Sequence, residues 1–169
     1  MLLADLIYST SQVATWDESH LLLNLRDKRV LELGAGTGLP GIMAAQEQAS
    51  STRTDAQARM MRAQQVVLSD YDEAELITRL KVNVKTNTLH CMTKTSGVGH
   101  IWGQDVSDLL DILLPTPHSP PSDLPLKFDV VLLADCLWDR LSHAALLKTL
   151  GATLARSKNA RVYVASGLH

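Results

Sequence analysis

Val30-Leu31-Glu32-Leu33-Gly34-Ala35-Gly36-Thr37-Gly38-Leu39-Pro40-Gly41 is the stretch on which the architecture turns. A short apolar run leads into a glycine-dense turn, and the turn opens a segment with helical patterning. Glycines suit such a turn because the backbone must reverse sharply and let another group approach with no Cβ between them. Pro40 is tolerated in the first turn of a helix, and the free N–H groups at a helix start can meet polar ligand atoms. The order strand, glycine turn, helix is the opening of an α/β unit.

The rest of the chain repeats that alternation. Strands are expected at 29–33, 65–68, 98–102, 128–134 and 161–165, and helices at 37–48, 73–84, 106–113 and 142–154. The run Phe128-Asp129-Val130-Val131-Leu132-Leu133-Ala134 has the continuous apolar character of a strand covered on both faces. Residues 2–23 read as one or two helices, with Leu6, Val13 and Leu21 to Leu23 as candidates for burial. The polar stretch 49–64 reads as an insert, and 115–125, which holds five of the six prolines, as a loop. The expectation is an α/β fold, a Rossmann-like doubly wound and mostly parallel sheet. It forms a single domain over 1–169, with an N-terminal helical segment at 1–28 and a cofactor-binding core at 29–169.

Composition bounds the function. The 169 residues are 46% apolar and 20% charged, with a formal net charge of -2, which suits a soluble globular protein. No basic run points to nucleic acid. The apolar start Met1-Leu2-Leu3-Ala4-Asp5-Leu6-Ile7 is brief, lacks a basic leader and is broken by Asp5. It is read as neither a signal peptide nor a membrane span. Cys91 and Cys136 match no disulfide framework and no metal-ligand spacing. A cytoplasmic protein without metal, membrane or nucleic-acid partner is expected.

Two chemistries compete for the glycine turn. Gly36-x-Gly38-x-x-Gly41 fits a dinucleotide fingerprint, with a pyrophosphate on the helix N-terminus. Gly34-x-Gly36-x-Gly38 preceded by Glu32 instead resembles the first motif of Rossmann-like methyltransferases. A carboxylate beside the turn repels a pyrophosphate and helps hold the cationic methionine part of S-adenosylmethionine. Asp70, at the carboxyl end of the second predicted strand, can accept hydrogen bonds from both hydroxyls of a ribose. It also suits the N-cap of the helix that follows. Trp102, before Gly103, can stack on an adenine ring or pack in the core. Asp135 and Trp138 follow the 128–134 strand, where open parallel sheets bind ligands. They can position an amine for methyl transfer, or cap and pack.

In this order the segments resemble family 16 of the eukaryotic seven-strand methyltransferases. They are most similar to the group of nicotinamide N-methyltransferase-like proteins and elongation factor 1-alpha N-terminal and lysine methyltransferases. The stretches that carry the resemblance are 30–41, Val67-Leu68-Ser69-Asp70-Tyr71-Asp72, Leu80-Lys81-Val82-Asn83-Val84, Gly99-His100-Ile101-Trp102-Gly103 and 128–138. The resemblance implies S-adenosylmethionine as cofactor, with contacts at Gly34, Ala35, Gly36, Asp70, Trp102 and Ala134. It also implies that Asp135 to Trp138 border the acceptor pocket. The family's lysine-modifying members usually carry Tyr or Phe where this chain has Trp138, which keeps a flat wall and lacks a phenol hydroxyl.

Tyr8 stands where the group often has tryptophan. The family's sheet closes with a sixth and seventh strand after the position of Ser166, and a core lacking those final strands is expected here. The function implied is N-methylation of a protein lysine or N-terminal amine, a translation elongation factor being a candidate partner. A nicotinamide-like small-molecule N-methyltransferase, a truncated non-catalytic binding module and a nicotinamide-dinucleotide oxidoreductase are the alternatives.

Overall fold

The computed structural model describes residues 3–5, 7, 25–46, 63–115 and 125–167. Five parallel strands carry it: β1 (Arg29–Leu33), β2 (Gln65–Asp70), β3 (Lys94–Gly99), β4 (Val130–Ala134) and β5 (Arg161–Ala165). Helices α1 (Leu39–Ala45), α2 (Ala74–Thr88), α3 (Ser107–Leu110) and α4 (His143–Thr153) follow the first four strands. The sheet order is β3-β2-β1-β4-β5. The chain therefore winds outward from β1 in one direction and then crosses back to continue in the other. This is the expected Rossmann-like, doubly wound fold, and its ligand crevice belongs beyond the carboxyl ends of β1 and β4, where the direction changes.

Side-chain alternation divides the core into two layers. Val30, Val66, Leu68, Val130 and Leu132 face one way and pack with Ile42 and Ala45 of α1 and Ile77, Leu80 and Val84 of α2. Leu31, Leu33, Val67, Val131 and Leu133 face the other and pack with Leu109, Leu113 and Leu146. β1 sits between β2 and β4, with Leu31 opposite both Val67 and Val131. Its side chains meet protein on both faces, which is why its apolar residues run on almost without a break.

The first and last strands fall at the expected residues. The third does not: it covers Lys94–Gly99, in place of 98–102. It is an edge strand, half-exposed along most of its length. A strand there needs few apolar residues, and the apolar pair Ile101-Trp102 lies in the turn after it. Helix α1 is shorter than 37–48, opening at Leu39 and capped by Gln46. Helix α3 is one turn long, within the expected 106–113.

Helix α2 runs four residues past the expected 84. Asn87 and Thr88 side chains bond to the Asn83 and Val84 carbonyls there, so the polar last turn is carried without apolar burial. The N-cap of α2 is Glu73, whose carboxylate accepts from the Glu75 and Leu76 N–H groups, and not Asp70. Leu6, Tyr8, Val13, Leu21 to Leu23, most of 49–64 and most of 115–125 lie outside the described residues.

Candidate functional site

The glycine turn leaves β1 at Leu33 and is tied into the sheet at once. The Ala35 N–H donates to the Ser69 carbonyl at 2.9 Å, which binds the turn to the end of β2. Gly34 has φ +67°, and a Cβ on it would lie 2.8 Å from Cys136 Sγ and 3.3 Å from Trp102 Cζ2. Gly38, at φ +83°, starts α1, and a Cβ there would strike Leu68 and Leu80. The turn is thus glycine-rich for two reasons. At Gly34 the β4 end and the Trp102 turn come close, and at Gly38 the core of α2 does.

Asp70 closes the other side. Its Oδ2 accepts the Gly36 N–H at 2.5 Å and its Oδ1 accepts the Tyr71 N–H at 2.7 Å. Each carboxylate oxygen keeps capacity for a further donor. The ends of β1, β2 and β4 and the turn after β3 then enclose a cavity of about 460 Å³. Three carboxylates line it, those of Asp70, Asp135 and Asp139, with the indoles of Trp102 and Trp138. Among the described lining residues there is no lysine or arginine. The loop Asp139-Arg140-Leu141-Ser142 is braced by the Asp139 carboxylate, which accepts from the Ser142 hydroxyl and from the Leu141 N–H. Those bonds hold it below the usual carboxylate range.

The cavity's other polar groups are pinned. His100 is buried, with Nδ1 3.0 Å from an Asp108 carboxylate oxygen and Nε2 3.3 Å from the Thr149 hydroxyl. The same hydroxyl accepts the Gly103 N–H at 2.8 Å. Trp102 therefore sits on a turn anchored to α4 from both sides. The Cys136 thiol donates to the Leu33 carbonyl at 3.1 Å. Burial, and then the nearby carboxylates of Glu32 and Asp70, push it up to about 11. It is a thiol at neutral pH and no nucleophile.

An acidic, aromatic-flanked cavity beside a glycine turn suits a cationic nucleoside and opposes a pyrophosphate. A model of the lysine methyltransferase family matches residues 4–167, nearly the whole chain. The chain belongs to the lysine methyltransferase family. A protein N-terminal and lysine N-methyltransferase of Cryptococcus neoformans var. neoformans is 33% identical over 133 residues, which are 78% of this chain and 37% of that protein. One of Schizosaccharomyces pombe is 32% identical over 140 residues, 83% of this chain and 46% of that protein. One of Emericella nidulans is 27% identical over 164 residues, 94% of this chain and 56% of that protein. The chain spans about half the length, or less, of most curated relatives it matches.

Within this lysine methyltransferase fold the sequence-derived site residues divide. Gly34, Asp70, Trp102, Asp135 and Trp138 come together on the cavity wall. Trp138 is 71% exposed and stands at the mouth. Gly36 lies at the loop tip, with open space where a Cβ would be.

The remaining four do not line this cavity. Ala35 is buried beneath the turn, and Ala134 lines a second, smaller cavity. Gly38 serves the packing of the α1 start against Leu68 of β2 and Leu80 of α2. Glu32 is set apart from the cavity wall by its burial. It is wholly buried, on the face of β1 that Val30 shares, and its Oε2 accepts the Gly41 N–H at 2.8 Å inside α1. Its Oε1 has no hydrogen-bond partner. Burial raises it from an ordinary 4.5 to about 8, so at neutral pH it is mostly a neutral acid. It braces the helix and does not line the cavity.

His100, Tyr71, Asp139, Ser142 and Ala145 also line the cavity, and sequence reasoning assigned none of them a role; Cys136 lines it too, within the stretch 135–138 expected to border the acceptor pocket. His100 and Tyr71 lay inside the motifs that carry the resemblance. Among the described residues no group of His, Cys, Asp and Glu is placed to hold a metal ion, and no helix is long and apolar enough to cross a membrane.

Proposed function

We propose that this chain binds S-adenosylmethionine in the acidic cavity and transfers its methyl group to an amine nitrogen of a protein. The acceptor is a lysine side chain or an N-terminal amine, with a translation elongation factor as the candidate protein. The single observation that carries the cofactor assignment is the closure of the glycine turn by Asp70, at the rim of a cavity with carboxylates and no cationic side chain on its described wall. Asp70 faces the sugar, and Trp102, anchored through Gly103 and His100, faces the base. Gly34 and Asp135 lie nearest the cationic end.

S-adenosylmethionine supplies a methyl group on a sulfonium, which a nitrogen lone pair takes while the carbon–sulfur electron pair stays on sulfur. What the chain contributes is proximity and orientation, the effects best suited to a reaction that needs two groups in line. Its carboxylates favour a cation, and its indoles keep water from one side. The same reading places the reaction in the cytoplasm, where both free cysteines stay reduced.

Calorimetry with S-adenosylhomocysteine tests the assignment. One site is expected in the wild type and none in Gly36→Arg, whose side chain would enter the open space at the loop tip. A wild type that fails to bind overturns it.

A further inference from the structure

Glu32 takes no part in the methyl-transfer reading, yet it is seated under the glycine turn. Its carboxyl is wholly buried; Oε2 accepts the Gly41 N–H at 2.8 Å, and Oε1 has no hydrogen-bond partner. The seat is closed by Gly41, where a Cβ would lie 2.6 Å from Oε2. Among the described residues no lysine, arginine or histidine forms an ion pair with it. A buried carboxylate with no cation and one bare oxygen is a costly anion, so on its own the group holds its proton.

The groups around it offer no positive charge. Asp70, at the end of the neighbouring β2, raises Glu32 further after burial has done so. Cys136, past the end of β4, is a thiol pushed up by burial and then by Glu32, Asp70 and Asp135. Helix α1, which covers Glu32, has no titratable residue from Leu39 to Ala45. Asp70, Asp135 and Cys136 all line the acidic cavity. Glu32 therefore feels the charge in that cavity without touching it, through protein, where screening is weak. We propose that Glu32 makes the site prefer the sulfonium of S-adenosylmethionine over the uncharged thioether of its product, by giving up its proton when the cation binds. This rests on the methyl-transfer reading above. The carboxyl O–H bond breaks, the proton passes to solvent, and the carboxylate is balanced by the sulfonium. Methyl transfer removes that positive charge, so Glu32 takes a proton back and the product is held less tightly.

The test uses binding and needs no acceptor protein. S-adenosylmethionine and S-adenosylhomocysteine are titrated calorimetrically into wild type and Glu32→Gln, in two buffers of different ionisation enthalpy. Glu32→Gln has no proton to release and keeps an acceptor for the Gly41 N–H. The aminocarboxylate of each ligand titrates alike in both proteins and cancels between them. With Glu32 at about 8 before binding, a sulfonium preference of about tenfold corresponds to release of about half a proton at pH 7.5. Wild type is expected to show that extra release with S-adenosylmethionine and not with S-adenosylhomocysteine. Its preference for the cation should climb towards about tenfold between pH 6 and 9, relative to Glu32→Gln.

If both ligands bind and the two proteins show the same proton release and the same preference at every pH, the role of Glu32 is overturned and the cofactor assignment stands. If neither ligand binds wild type, the methyl-transfer reading falls and this role with it. Difference infrared spectroscopy on wild type decides the matter where Glu32→Gln fails to fold. The stretch of a protonated carboxyl should weaken when S-adenosylmethionine binds and persist with S-adenosylhomocysteine. A stretch unchanged by S-adenosylmethionine overturns the proposal.

Discussion

At one end of the glycine turn Asp70 accepts the Gly36 N–H; just past the other end Glu32 accepts the Gly41 N–H. The two carboxylates stand on adjacent strands, and both hold backbone from the same stretch of chain. Glu32 is paired in register with Leu68, two residues before Asp70. Yet Glu32 is sealed beneath α1 and Asp70 opens on a cavity. What separates them is position along the strand, since Asp70 shares the parity of Leu68 and so of Glu32. Glu32 lies within β1, on the face covered by α1, whereas Asp70 is the last residue of its strand, where the cover ends. A carboxylate near a glycine turn can therefore be a strut or a ligand contact, and depth along the strand decides which.

Glu32→Ala should show the largest effect and break the comparison if it does not. It opens a cavity in the core and leaves the Gly41 N–H unsatisfied, which together cost on the order of 3 kcal/mol. Denaturant unfolding measures this. A loss below about 1 kcal/mol would mean that Glu32 is not a strut. Asp70→Asn should do the opposite, with little change in unfolding. Its affinity for S-adenosylhomocysteine should fall about 30-fold, as expected for losing a charged hydrogen bond worth about 2 kcal/mol. If the two variants exchange phenotypes, the roles of the two carboxylates are reversed.

Much of this division was present in the sequence. β1 and β5 were legible to the residue because their apolar runs are compact and bounded. Val30 and Glu32 share parity, as do Leu31 and Leu33, so the burial of Glu32 with the α1 layer follows from alternation once β1 is accepted. The motif resemblance drew attention to the acid and away from its parity.

β3 was legible only in part. Lys94-Thr95-Ser96-Gly97-Val98-Gly99 is an edge strand that buries little, so nothing in its composition marks it. The apolar residues that suggested a strand, Ile101 and Trp102, serve the turn beyond it. His100 carries no periodic signal, because its partners Asp108 and Thr149 are brought to it by the fold from 8 and 49 residues away. Gly34, Asp70 and Trp102 were legible because each closes a recognisable segment. The cavity that joins them was not, since it exists only when the sheet places their strand ends side by side.

The Thr149 anchor extends the comparison to the Trp102 side of the cavity. Thr149→Val keeps the shape and removes the hydroxyl, leaving the Gly103 N–H and His100 Nε2 short of a partner. A cost of about 1–2 kcal/mol in stability is expected. If the anchor positions Trp102, the quenching of tryptophan fluorescence by S-adenosylhomocysteine should also weaken, with Thr149→Ser restoring it. Unchanged quenching would reduce the network to a purely structural one.

The last test is the pH dependence that a buried strut carries. Glu32 is raised from 4.5 to about 8 in the folded chain, chiefly by burial. Below about pH 4.5 both folded and unfolded chains hold its proton. Between 4.5 and 8 the folded chain keeps the proton that the unfolded chain has released, so stability falls as pH rises. The slope for one proton is at most about 1.4 kcal/mol per pH unit, and it vanishes above about pH 8. Glu32→Gln has no proton to lose there and retains an acceptor for the Gly41 N–H. Between pH 5 and 8 its unfolding free energy should therefore decline less than that of the wild type. Parallel curves for the two would show that Glu32 is already ionised in the fold. A buried, ionised carboxylate with one oxygen unpartnered would then need a cation close by, and the strut would have to be redrawn as part of the ligand site.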